Sequence, residues 1–211
     1  MFGHKDGTAN PKPDTSALDQ AVWATDNDEP MWFHGGTYLV FRKIRMKTAE
    51  WDQMAVEDQD RIVGRRRVSG APLTGNVESD PVDLQALAAD GNLVIPADAH
   101  VRLVHNIPML RRSYNYDYGF LVPNAGDSSD PTPEHTHAPG TPDHTHGGHD
   151  KLDAGLLFAA YMNNPGEQFI KAQKALAVDR MNSLIQHTGS AFFAIPPGAA
   201  QGEPLGATLL G

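Results

Sequence analysis

Ten consecutive residues, Thr37-Tyr38-Leu39-Val40-Phe41-Arg42-Lys43-Ile44-Arg45-Met46, are dense in β-branched and aromatic side chains and open directly after Gly35-Gly36. Such a run, bounded by turn residues, is a strand. It needs partners, and the chain supplies further strand-like runs. Asn92 to Ile95 reads as a short strand leading through Pro96 to His100, and Val101 to His105 as a second. Arg111 to Phe120, with Tyr114, Tyr116 and Tyr118 at period two, reads as a third. Gly155 to Met162 is an apolar run of strand length, and Ser190 to Ile195 is a strand stopped by Pro196-Pro197.

Helical spacing falls between these runs. Ala49 to Arg65 carries Trp51, Met54, Ala55 and Ile62 on one face and acids on the other, with Thr48 as its N-cap. Gly166 to Ser183 repeats the pattern with Phe169, Ile170, Ala175, Leu176, Val178 and Met181. Shorter helical pieces are read at Ala17 to Trp23 and at Asp83 to Ala89. The order strand, helix, strands, helix, strand predicts a ferredoxin-like α+β fold, an antiparallel sheet with helices on one face. Residues 1–36 form an N-terminal segment and wrapping loop, 37–198 the domain, and 199–211 a tail. Residues 122–153 read as a flexible insertion with little to bury.

A chain of 211 residues supports one domain with a sizeable core. The formal charge of −9 argues against nucleic acid or an anionic membrane as partner. With no Cys, disulfides, thiolate ligands and iron–sulfur clusters are excluded. No stretch approaches the ~20 apolar residues of a membrane helix. No export signal is readable, which leaves secreted, extracytoplasmic and cytoplasmic locations equally open.

Four motifs stand in one order. Gly3-His4-Lys5-Asp6-Gly7-Thr8 comes first, and Gly64-Arg65 with Gly70-Ala71-Pro72-Leu73 second. Asp98-Ala99-His100-Val101-Arg102-Leu103 is followed by Leu110-Arg111-Arg112-Ser113-Tyr114. Gly155-Leu156-Leu157-Phe158 and Phe192-Phe193-Ala194-Ile195-Pro196-Pro197-Gly198 close the set. Together they resemble the C-terminal half of the dye-decolorizing (DyP-type) haem peroxidases, a family that stacks two ferredoxin-like domains and holds haem in the second. In that family the G-x-x-D-G signature lies mid-chain. The resemblance therefore implies either a piece of a longer protein, completed by an N-terminal-half chain or by another copy of itself, or a natural short version.

The resemblance also implies a site. His100 matches the proximal ligand of haem b, with a carboxylate on its other nitrogen that the sequence does not assign. Asp6 matches the distal proton carrier and Arg111 the distal cation, with Arg112 as runner-up. Gly7, Thr8 and Ala9 would line the haem face, and His105 and Asn106 its edge. The segment between histidine and arginines is shorter than the family pattern, which leaves His105 as an alternative ligand. Read alone, His100 is a hydrogen-bonded strand histidine, Asp6 a turn residue before Gly7 and the arginines solvated strand-edge charges. His4, His34 and His187 read as surface residues or supports of the site, the three Trp as core or interface. A tyrosine among Tyr114, Tyr116 and Tyr118 could pass an electron to a bulky substrate.

The implied activity is oxidation of dyes, phenolics or similar small-molecule reductants by H2O2. Iron release from haem, as in deferrochelatases, and a non-catalytic haem- or metal-binding module are the alternatives. The insertion adds two HxH clusters, with His135 and His137 in one and His144, His146 and His149 in the other. Their imidazoles and neighbouring acids suit copper or another divalent metal.

Overall fold

The computed structural model describes residues 2–5, 10–13, 15–25, 30–120 and 152–210. Helix α1 is Ser16–Val22 and strand β1 is Thr37–Met46. Helices α2 (Thr48–Asp52), α3 (Val56–Val63) and α4 (His100–Val104) lead to the short strands β2 (Leu110–Arg111) and β3 (Tyr114–Phe120). Then come β4 (Leu152–Met162), α5 (Lys171–Ala175), β5 (Ile185–Ile195) and α6 (Ala207–Leu210).

The five strands form one antiparallel sheet in the order β2-β4-β1-β5, with β3 continuing the β2 edge alongside β4. The register places Val40 opposite Ala160 and Ile44 opposite Leu156, so alternate residues of the two central strands share a face. That face carries two apolar clusters. Ile44, Met46 and Leu156 pack with Trp51, Ile62 and Met181, whereas Val40, Ala160 and Met162 pack with Met109 and Ala172. The helices therefore cover one side of the sheet, as the strand and helix order predicts.

On the other face a charged network replaces apolar packing. Asp153 is buried and accepts from Lys43 Nζ at 2.6 Å, Arg45 Nε at 3.2 Å and Tyr116 Oη at 3.1 Å. The Lys43 hydrogen bond, then that of Arg45, hold the Asp153 carboxyl below its usual range. Burial, then the bond to Asp153, pushes the Tyr116 phenol up to about 12. Asp153 thus belongs to β4, and the reading of 122–153 as one flexible insertion fails at Leu152 and Asp153.

Six further expectations are corrected. Val101 to His105 is not a strand: Val101 to Val104 belong to helix α4 and His105 is its C-cap. Asn92 to Ile95 and Asp83 to Ala89 are neither strand nor helix. Ala88 N donates to Asn92 O and Val94 N to Ala86 O, so these residues pair with each other around Asp90-Gly91 rather than joining the sheet. The helix over Ala49 to Arg65 is two, because the Gln59 amide donates to Trp51 O at 2.8 Å and satisfies the carbonyl end of α2. Its N-cap is Lys47 rather than Thr48. The helix over Gly166 to Ser183 breaks into a π-helical turn, α5 and two 3-10 turns, Leu176–Val178 and Arg180–Leu184.

Candidate functional site

Between the sheet and the helices lies a cavity of about 630 Å³. Ile44, Leu156 and Phe158 form its sheet side, and Val104, Leu176 and Met181 its helix side. Phe158 packs against both apolar clusters, so the cavity is the gap between two half-cores. It reaches from Arg111 on β2 to His187 on β5. Three inter-strand steps separate those strands, a span of roughly 14 Å. The slot spans the sheet and is apolar in its middle.

Helix α4 brings His100 to this slot. Ala99 is its extended N-cap, and Arg102 ties it to the preceding loop, donating to the carbonyls of Leu84, Ile95 and Pro96. Helical spacing sets His100 and Val104 on one face, and both line the cavity. Val101 packs on the end of α3 at Gly64, whose φ of +87° is the left-handed cap that stops that helix. A Cβ on Gly64 would meet Val101 Cγ1 at 2.3 Å.

The imidazole Nδ1 of His100 lies 2.6 Å from Oδ2 of Asp179, whose side chain is 3% exposed. The other oxygen, Oδ1, accepts from Met181 N at 2.8 Å and caps the 3-10 turn that follows. Both oxygens are used, so the carboxylate is fixed in position. A carboxylate oxygen facing the ring accepts, so Nδ1 is the donor of this pair, and in the neutral ring that tautomer leaves the Nε2 lone pair directed away from Asp179. Asp179 is the acid the sequence does not assign to His100. Its signal is local: an Asp that breaks an apolar helical pattern is an N-cap.

Strand alternation separates the two arginines. Arg111 pairs with Ala160, a cavity-face residue, and lines the cavity. Arg112 donates its N–H to Ala159 and points to the other face, where it borders a separate apolar crevice with Tyr161 and Leu205. Asn10 pairs with the Arg111 backbone, donating from Nδ2 to its O at 2.9 Å and accepting from its N at 3.0 Å. Sequence reasoning passes over Asn10.

His105 lines the cavity as an exposed residue one position beyond α4, and Asn106, also exposed, is not part of the wall. Asp6, Gly7, Thr8 and Ala9 lie outside the described residues, as do His135, His137, His144, His146 and His149. The segment that leads to Asp6 is anchored at its start. His4 is buried on the cavity wall with Nε2 2.9 Å from Asp60 Oδ1, and Phe2 stacks on Trp51 with ring centroids 4.4 Å apart. His4 is thus a wall residue rather than a surface one. Tyr116 is on the opposite sheet face, in the Asp153 network.

The donor set has a chemical meaning. Among the described residues no three His, Cys, Asp or Glu gather to hold a bare metal ion. One oriented imidazole on the wall of an apolar slot suits a metal that brings its other donors with it, as iron in a porphyrin does.

An antiparallel ferredoxin-like sheet, with a slot beneath it and a carboxylate-backed histidine in the slot, defines the class of domain. The family model for the C-terminal part of Dyp-type peroxidases matches residues 1–200, and the chain belongs to that family. It is 38% identical over 219 residues to a dye-decolorizing peroxidase of Thermobifida fusca, covering 100% of this chain and 45% of the relative. A deferrochelatase of Yersinia pestis is 35% identical over 210 residues, covering 95% of this chain and 42% of the relative. The solved structure of ferric DtpA from Streptomyces lividans superposes with a TM-score of 0.81 at 32% identity, over 100% of this chain and 52% of that one. The chain therefore spans about half the length of the relatives it matches.

Proposed function

We propose that this chain binds haem b in the slot beneath its sheet, where His100 Nε2 would hold the iron, and serves the oxidation of dyes, phenolics or similar small reductants by H2O2. The observation that carries the reading is the His100–Asp179 pair on the wall of the slot. Asp179 accepts the hydrogen bond from Nδ1–H, orients the ring and makes Nε2 a stronger donor to a metal. Ile44, Leu156 and Phe158 exclude water from the slot. Arg111 sets a fixed positive charge at the β2 end, where charge develops as the peroxide bond breaks. Asp6, assigned by the family signature, carries the proton from one peroxide oxygen to the other. Haem supplies the iron redox chemistry that no side chain of this chain can.

Titration of the purified chain with haemin tests the reading. Saturable one-to-one binding with a histidine-ligated ferric Soret band, lost in His100→Ala, is expected. A folded chain that binds no haemin would sink it. Peroxide-dependent bleaching of a dye by the loaded chain tests the activity.

Iron release from haem is the second reading, favoured by the deferrochelatase names among relatives of comparable identity. Accumulation of protoporphyrin fluorescence without dye bleaching would select it. For His135, His137, His144, His146 and His149 the proposal is weak binding of copper or another divalent ion. Equal copper uptake by the full chain and by one lacking residues 134–150 in equilibrium dialysis would remove it.

A further inference from the structure

At the β5 end of the slot stands a cation with no carboxylate partner among the described residues. Arg42 projects from the middle of β1 onto the cavity wall, opposite Phe158 in the register. Its Nη1 donates to Gln173 Oε1 at 2.6 Å and its Nε to Ser190 Oγ at 3.3 Å, and its guanidinium lies 4.7 Å over the Phe169 ring. All three partners are neutral. Among the described residues no carboxylate forms a salt bridge with it, whereas Lys43 and Arg45 on the opposite face share Asp153. Burial accordingly holds the Arg42 pKa below the usual arginine value.

His187 enters the same end from β5, where it pairs with Ile44. Burial, and then the Arg42 charge, disfavour its protonated form. The acids on the cavity wall are committed elsewhere. Asp179 serves His100 and the Met181 N–H, and Asp80 Oδ2 accepts from the backbone N–H groups of Asn76 and Val77. Neutral acceptors satisfy some of the guanidinium hydrogen bonds but leave its charge uncompensated, and a partly buried charge is stabilised most by an anion that completes its planar fork.

We propose that the Arg42–His187 end of the slot is a carboxylate-binding site that seats an anionic substituent of the molecule lying in the slot. Because the same slot is proposed to take haem, a carboxylate arm of the tetrapyrrole is one source. A free aromatic carboxylate has the same chemistry and is the other. The site lies at the opposite end of the slot from Arg111, so the two cations address opposite ends of the ligand.

The test compares haemin with haemin dimethyl ester, whose carboxylates are masked, for the full chain and for Arg42→Gln, Arg42→Lys and His187→Gln. Affinity is read by tryptophan quenching and the Soret band, and folding by far-UV circular dichroism. The unmutated chain is expected to prefer haemin to the ester by about tenfold or more, Arg42→Gln to lose that preference, and Arg42→Lys, which keeps the charge without the fork, to keep part of it. Equal binding of haemin and ester by the unmutated chain, or equal loss of both ligands in Arg42→Gln and Arg42→Lys, would overturn the proposal.

Benzoate distinguishes the sources. Arg42-dependent benzoate binding that haemin displaces and the ester does not assigns the site to the tetrapyrrole arm. Arg42-dependent benzoate binding that survives haemin loading assigns it to a free carboxylate. If the folded chain binds neither porphyrin, the haem reading fails by itself. Benzoate then decides the site alone: Arg42-dependent binding supports it, and its absence overturns it.

Discussion

The carboxamide of Asn10 is bonded to both backbone polar groups of Arg111, giving Nδ2–H to the carbonyl at 2.9 Å and taking the N–H at 3.0 Å. The side chain stands in for a neighbouring strand at the edge where β2 ends. It also joins the segment after the G-x-x-D-G signature to the strand that carries the cavity arginine. Asn10→Ala should destabilise the chain by about 1–2 kcal/mol in urea unfolding, the sum of two modest hydrogen bonds. Asn10→Asp, which keeps an acceptor but sets a carboxylate against the Arg111 carbonyl, should be at least as damaging. Wild-type stability in both variants would show the pair to be incidental.

Replacing Asp179 separates its two tasks. Asp179→Asn keeps an oxygen for the Met181 N–H but removes the negative charge from His100 Nδ1. Haemin affinity should fall about 10–100-fold, and the ferric–ferrous potential of the loaded chain should rise. Asp179→Ala should add a loss of about 1 kcal/mol in unfolding free energy, since the turn then lacks its cap. Unchanged potential in Asp179→Asn would mean that the carboxylate does not act through the ring.

Gly64 is fixed by two independent demands, its φ of +87° and the closeness of Val101. Gly64→Ala should cost roughly 2 kcal/mol or more, through left-handed backbone strain and the push on α4. Adding Val101→Ala should restore part of the loss by opening space. Thermal unfolding of the single and double variants reads the difference, and additivity would argue against the contact.

The Asp153 network makes stability pH-dependent at both extremes. The folded Asp153 carboxyl is depressed, so its contribution is present above the ordinary carboxylate range near ~4 and is lost as pH falls through the lower folded value. The Tyr116 phenol is raised, so its contribution is present below the ordinary tyrosine value of ~10 and is lost as pH rises towards about 12. Ultraviolet titration should show one of the five tyrosines ionising near the upper value, a step absent in Tyr116→Phe. Urea unfolding of Asp153→Asn should lose the acid-side dependence.

Much of the fold was legible because apolar periodicity is local. β1 begins and ends where the composition changes, and it lies between the apolar run of β4 and β5, of which the apolar part begins only at Ala191. The error at Val101 to His105 has a physical cause. A five-residue apolar and basic stretch fits a strand or a helical turn equally well, and packing on Gly64 together with the Arg102 hydrogen bonds to the preceding loop selects the helix. The split helices escaped notice because a side-chain amide, Gln59, and a capping carboxylate, Asp179, satisfy backbone groups that periodicity does not see.

The sequence by itself determined the strands β1 and β4 and the later half of β5, the ferredoxin-like class and the motif order that marks the family, all properties of neighbouring residues. Only the tertiary structure decided which acid stands behind His100, 79 positions away, which of the two arginines enters the slot and which cation there has only neutral partners among the described residues. Those are relations between distant segments. They depend on strand register and on which face each side chain takes, and no local pattern encodes either.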